Sequence, residues 1–175
     1  MITLEKINAI KRLKEEYEDI CSHPMFEMGI VVNLTNPDNI WEWTCLIKGP
    51  KGTSYEKGLF VVKIKFTEYY PHVPPEICFK TPIYHVSVNP RNVSRPLGYV
   101  LVNWSAKSYM REVFTEIYGM FFGNFTAIYG IETIKEYLNE RAVYEEKAKY
   151  FTTKYAGFSF ECVKDYSQDW DFEHS

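Results

Sequence analysis

An α+β fold is predicted from three observations: an amphipathic helical pattern near the N-terminus, four strand-like segments in succession, and helical periodicity that returns after residue 110. In the first segment Leu4, Ile7, Ile10, Leu13, Tyr17 and Ile20 recur at steps of three and four. That spacing places them on one face of a helix over 3–20, with Lys11, Arg12 and Lys14 off the stripe and facing solvent. Ser22, His23 and Pro24 end it. Strands follow at 29–34, 41–47, 60–66 and 76–80. Within 60–66, Phe60, Val62, Ile64 and Phe66 alternate with Val61, Lys63 and Lys65, the period of a half-buried strand. Four sequential strands with short links predict an antiparallel meander. Residues 81–103 lack clean periodicity and hold Pro82, Pro90 and Pro96, so they are read as a long irregular segment of the kind that carries function. Met110, Val113, Phe114, Ile117, Met120 and Phe121 restore a helical pattern, and two further helices are read at about 131–138 and 140–155.

The chain has 175 residues, a size suited to one domain with a tail. An apolar fraction of 46% with 12 Phe, 4 Trp and 14 Tyr supplies ample core material, which argues against disorder over most of the length. No apolar run approaches the roughly 20 residues that span a bilayer, and the charged, periodic N-terminus has no signal-peptide pattern. A soluble intracellular protein is expected, cytoplasmic, with cytoskeletal association or a nuclear location as alternatives. A net charge of −3 argues against a nucleic-acid binder, because phosphate recognition needs a basic face. Cys21, Cys45, Cys78 and Cys162 form no CxxC, and no His pair flanks them at ligand spacing, so buried reduced thiols are expected, with no metal and no cofactor. Residues 158–175 hold five acids against Lys164, a net −4 that leaves residues 1–157 at +1. The expected organisation is therefore a domain over 1–157 and an acidic, aromatic C-terminal tail over 158–175. Phe158, Phe160, Tyr166, Trp170 and Phe172 are costly to leave in water, so the tail is expected to dock on this domain or on a partner.

Several motifs stand in a telling order: KRLKEEYE at 11–18, WTCLIKGPKGTSYEKG at 43–58, alternating apolar residues at 60–66, YYPHVPPEICF at 69–79, IYH at 83–85, Trp104-Ser105, and RAVYEEKAKYFTTKYA at 141–156. In this order the chain resembles the ubiquitin-conjugating enzyme family over roughly residues 3–156. The resemblance implies that family's fold: an N-terminal helix, a four-stranded antiparallel meander sheet, then C-terminal helices. Local chemistry makes two motifs intelligible as scaffold. Glycine and proline in GPKGT allow strands to reverse, and the prolines of YPHVPP stiffen a segment leaving a sheet.

Members of the family carry ubiquitin, or a relative, as a thioester on a cysteine in the loop after the sheet. A thiolate serves there as nucleophile and leaving group. An asparagine in a His-Pro-Asn tripeptide is assigned the task of stabilising the oxyanion or shaping the loop. Here the tripeptide reads His85-Val86-Ser87. If LGYVLVNW at 97–104 matches the stretch around the nucleophile, Leu101 takes the cysteine's place; an ungapped register from His85 gives Arg95 or Pro96. No cysteine lies between Cys78 and Cys162 in either register. Against the family pattern this implies a non-enzyme, a pseudoenzyme acting as a protein–protein interaction module or as a subunit of a stable assembly. The alternatives are a non-catalytic regulator that binds ubiquitin or an active conjugating enzyme, and an atypical enzyme with a displaced nucleophile.

The resemblance also places partner contacts. Lys11, Arg12 and Lys14 match the basic helix face that meets the activating enzyme. His72 stands where ligases commonly grip an aromatic side chain, and Ala106 lies in the loop after Trp104 that completes that grip. In the tail, Trp170 and Phe172 are the candidate docking residues. The last two helices are retained, unlike in the inactive variants that pair with an active enzyme, so the scaffold-forming branch is the nearer analogy.

Overall fold

A computed structural model describes residues 3–88, 104–125, 128 and 130–157. Helix α1 (Leu4–Ser22) starts where the Thr3 hydroxyl accepts from the Lys6 amide at 3.2 Å, satisfying one of the orphan donors of a helix start. It ends before Pro24, with the His23 amide donating to the Asp19 carbonyl at 2.9 Å. A 3₁₀ turn at Phe26–Met28 leads through Gly29, at φ +66°, into strand β1 (Ile30–Asn36). Strands β2 (Asn39–Lys48), β3 (Leu59–Lys65) and β4 (Glu76–Phe79) follow, all antiparallel, in the spatial order β1-β2-β3-β4. This is the predicted meander. Helices α2 (Met110–Met120), α3 (Ile131–Asn139) and α4 (Arg141–Tyr155) complete the described chain within one residue of the expected bounds.

One sheet face is the core face. Trp43, Cys45 and Ile47 of β2, Phe60, Val62 and Ile64 of β3, and Ile77 and Phe79 of β4 are buried in one cluster with Leu13 of α1, Phe114 and Ile117 of α2, and Ala148 of α4. Aromatic edges knit it: the Tyr17 and Trp43 ring centroids lie 5.4 Å apart, Trp43 and Phe66 4.9 Å, Phe60 and Phe121 5.3 Å. The link between β2 and β3 passes so close to itself that a Cβ on Gly49 would lie 1.7 Å from the Tyr55 carbonyl oxygen. After α4 the Leu59 amide donates to the Ala156 carbonyl at 2.9 Å, and Gly157 forms a β-bridge with Gly58, so the end of the last helix is stitched to the start of β3.

Three expectations need correction. The buried stripe of α1 is Ala9, Leu13, Glu16 and Ile20, whereas Leu4 and Ile7 are mostly exposed. The helix is rotated from the face its large apolar residues suggest, because the carboxylate of Glu16 finds donors inside. Arg12 does not face solvent: its guanidinium turns inward to Glu16. Val61, expected on the open side of a half-buried strand, is only 5% exposed.

Candidate functional site

His85, Val86 and Ser87 sit in a tight turn closed by a β-bridge from His85 to Val88, all buried. The imidazole has a defined job. Its Nδ1 accepts from the Ser87 amide at 3.0 Å, and Nε2 then donates to the Met120 carbonyl at 3.1 Å. That pair of partners requires the neutral ring. Burial pushes the His85 pKa down to about 4, opposed by the bond to Met120. His85 therefore pins the turn to the end of α2. The Ser87 hydroxyl, at the family's asparagine position, is buried and finds no partner among the described residues. Aromatic walls surround this corner: the Tyr55 ring lies 5.8 Å from His85 and that of Phe125 5.2 Å. The Tyr55 hydroxyl donates to the Tyr84 carbonyl at 2.9 Å and sits 3.0 Å from the Tyr144 hydroxyl. Burial raises both phenols, Tyr144 to about 12, so neither ionises at neutral pH.

The thiols divide sharply. Cys45 lies in the core face of β2, and burial pushes its pKa up. Cys78 of β4 is 5% exposed and is likewise raised by burial, with Lys80 opposing. Cys21, near the end of α1, is exposed. Leu101, Arg95 and Pro96, the three alternatives for the nucleophile position, lie outside the described residues, as do Cys162, Trp170 and Phe172.

At another corner α1 meets the two loops that hold His72 and Ala106, organised by a residue that sequence reasoning missed. Glu16 is 4% exposed, and its carboxylate accepts from Arg12 Nε, from the Tyr70 hydroxyl and from the Met110 amide, each at 2.6 Å. Those donors belong to α1, to the proline segment after β3, and to the first residue of α2, where a negative charge also complements the helix dipole. Arg12 adds a bond to the Ser108 carbonyl at 2.9 Å and stacks 3.9 Å over the Tyr109 ring. Trp104 Nε1 donates to the Pro71 carbonyl at 2.8 Å. The clasp thus joins α1, the 69–75 loop and the 104–109 loop. His72 in the 69–75 loop is exposed and Ala106 in the 104–109 loop is half-buried, while Lys11 and Lys14 are exposed elsewhere on α1, Lys14 beside Leu34, Pro37 and Asp38 of the β1–β2 hairpin. Arg12, expected as a contact residue, braces this corner through Glu16 and the Ser108 carbonyl. The signal for Glu16 was available: positions 9, 13, 16 and 20 keep a helical rhythm with one carboxylate in it.

Comparisons with known proteins agree with this geometry. The family model described as ubiquitin-conjugating enzyme matches residues 12–152. "Ubiquitin-conjugating enzyme E2 13" of Arabidopsis thaliana is 29% identical over 148 residues, covering 77% of this chain and 88% of that protein. "Probable ubiquitin-conjugating enzyme E2 31" of the same plant is 45% identical over 82 residues, which is 46% of this chain and about half (50%) of that relative's length. The crystal structure of a "putative ubiquitin conjugating enzyme" from Plasmodium yoelii superposes with a TM-score of 0.74 at 27% identity, covering 86% of this chain and 97% of the other. These findings correct the expectation of a non-enzyme: the relatives are named as conjugating enzymes, and the missing cysteine between Cys78 and Cys162 is a property of the sequence that does not by itself establish inactivity. With its N-terminal helix, four-stranded antiparallel meander and C-terminal helices, the chain belongs to the ubiquitin-conjugating enzyme family.

Proposed function

We propose that this chain works in ubiquitin conjugation as a protein–protein interaction module, presenting the corner built by α1, the 69–75 loop and the 104–109 loop to other proteins of the pathway. The observation that carries the reading is the Glu16 clasp. Three segments distant in sequence are held by one buried carboxylate, which supports a preorganised surface for His72 and Ala106 beside α1, the helix that carries Lys11 and Lys14. Preorganisation lowers the ordering cost of binding. The two lysines favour an acidic partner face, and His72 offers a polar ring in place of an apolar anchor. Partners in this reading are ubiquitin, an activating enzyme, a ligase or an active conjugating enzyme, and the chain serves as a lasting subunit of an assembly with one of them. Titration of the purified chain against each, followed by isothermal calorimetry, tests it. Lys11→Glu with Lys14→Glu should weaken the interaction about tenfold or more; equal affinity for every partner before and after the substitutions would refute the assignment.

A second reading, favoured by the names of the relatives, is conjugating-enzyme activity with a displaced sulfur. Cys45 and Cys78 are buried, so a thioester on this chain would use Cys21 or Cys162. Incubation with activating enzyme, ATP and ubiquitin, run on non-reducing gels, checks this directly. A thiol-sensitive adduct lost in Cys21→Ser or Cys162→Ser would establish it, and the absence of any adduct would reject it.

A further inference from the structure

The turn that holds His85, Val86 and Ser87 is reached from α4 through two phenol hydroxyls. A carbonyl can only accept, so in the 2.9 Å contact between Tyr55 and the backbone of Tyr84 the Tyr55 hydroxyl is the donor. Its one proton is then committed, and across the 3.0 Å to Tyr144 it is the Tyr144 hydroxyl that donates. The bonds therefore run one way, from Tyr144 of α4 to Tyr55 of the β2–β3 link to the Tyr84 carbonyl. The Tyr144 oxygen also accepts from the Val86 amide, which opposes the upward push of burial on its pKa. The side chain of Tyr84 is tied to the same helices. Its hydroxyl donates to Glu136 of α3 at 2.7 Å, Glu136 accepts in turn from Lys147 of α4, and its ring centroid lies 5.5 Å from that of Tyr144. Packing alone does not call for these hydroxyls. Tyr55 and Tyr144 are buried, and phenylalanine would fill nearly the same space without the cost of burying a polar group.

We propose that Tyr144, acting through Tyr55, is a positioning residue for the His85 turn, so that the last two helices set the shape of the chain at the family's tripeptide position. The turn has two anchors. On the α2 side His85 Nε2 donates to the Met120 carbonyl at 3.1 Å. On the α4 side the two phenols hold the backbone before and after His85, at Tyr84 and Val86. Neither anchor replaces the other: the first fixes the imidazole, the second the backbone from which it projects. Within the turn the Ser87 amide donates to His85 Nδ1 at 3.0 Å and the Val88 amide to the His85 carbonyl at 3.1 Å. Both bonds depend on that backbone keeping its place. The clasp at Glu16 is built from other residues, so the turn and the partner corner proposed above stand or fall separately.

Amide hydrogen exchange in the full, isotope-labelled chain reads the turn through Ser87 and Val88 and the sheet through Cys45 and Val62. Tyr144→Phe and Tyr55→Phe should each speed exchange at Ser87 and Val88 by about tenfold and leave Cys45 and Val62 within about twofold of the parent. The double substitution should add little to either alone, because the same chain of bonds is broken in every case. Thr152→Val is the control. It removes another buried α4 hydroxyl, bonded to the Ala148 carbonyl at 2.8 Å and outside the chain of phenols, and should leave the turn at the parent rate. Ser87 and Val88 rates within about twofold of the parent in both phenol variants, or an equal acceleration in Thr152→Val, would overturn the proposal. Should a phenol variant unfold, Cys45 and Val62 would exchange as well, and the unsubstituted chain then decides through its hydroxyl protons in proton NMR. A slowly exchanging Tyr144 hydroxyl proton with a cross-peak to Tyr55 upholds the proposal, and its absence refutes it.

Discussion

Replacing Glu16 by alanine removes a carboxylate that accepts from three donors. The loss can be worked from the contacts. The Met110 amide and the Tyr70 hydroxyl are buried with it, and each left unpaired costs about 1–3 kcal/mol. Arg12 is partly open to water and keeps its bond to the Ser108 carbonyl, so its share is small. A total of about 3–5 kcal/mol is expected, the range for breaking a buried charged pair by deleting one partner. Glu16→Gln keeps the volume but turns one amide donor toward a donor, so it should cost roughly half as much. Tyr70→Phe should cost about 1 kcal/mol alone and much less in the Glu16→Gln background, because the two share a bond. Urea denaturation followed by tryptophan fluorescence yields all four corners of the cycle. A Glu16→Ala penalty below about 1 kcal/mol, or full additivity with Tyr70→Phe, would refute the clasp.

Other outcomes follow from single contacts. His85 has a folded pKa lowered to about 4 against about 6.5 unfolded, so the unfolded chain binds the extra proton; stability should be full above pH ~6.5 and fall by up to about 3 kcal/mol as pH drops through 4. Denaturation curves across that range should lose this slope in His85→Gln. Trp43→Ala and Phe60→Ala, both fully buried, should each cost about 3–5 kcal/mol in the same urea assay, and a loss under about 1 would contradict their core placement. Gly49→Ala forces a Cβ onto the Tyr55 carbonyl and should cost about 3 kcal/mol or more, whereas Gly52→Ala meets no neighbour and should lose only about 1 from its positive φ.

The sheet was legible from local pattern alone, since alternation in 60–66 and the Pro-Gly links report residue by residue on what faces inward. Helix α1 was less so. A periodicity count ranks Leu4 and Ile7 as core and Glu16 as surface, and the structure reverses that order because Glu16's donors lie 54 and 94 residues away. Arg12 was misplaced for the same reason: a guanidinium is assigned to solvent unless its acceptor is known. At His85 the residue type was read and its role was not, because the tautomer is set by Met120, 35 residues on. Val61 looked like the open side of a strand, and alternation within one strand does not report that it is buried.

The order of the meander also bears on how the chain acquires its structure. Each strand pairs with the next one in sequence, across two residues between β1 and β2 and ten between β2 and β3, so the sheet can zip with little loop-closure entropy. The bond from Glu16 to Met110 closes a loop of 94 residues and is expected to form last. Substitutions in the β2–β3 pairing should therefore slow refolding, while loss of the clasp should mainly hasten unfolding.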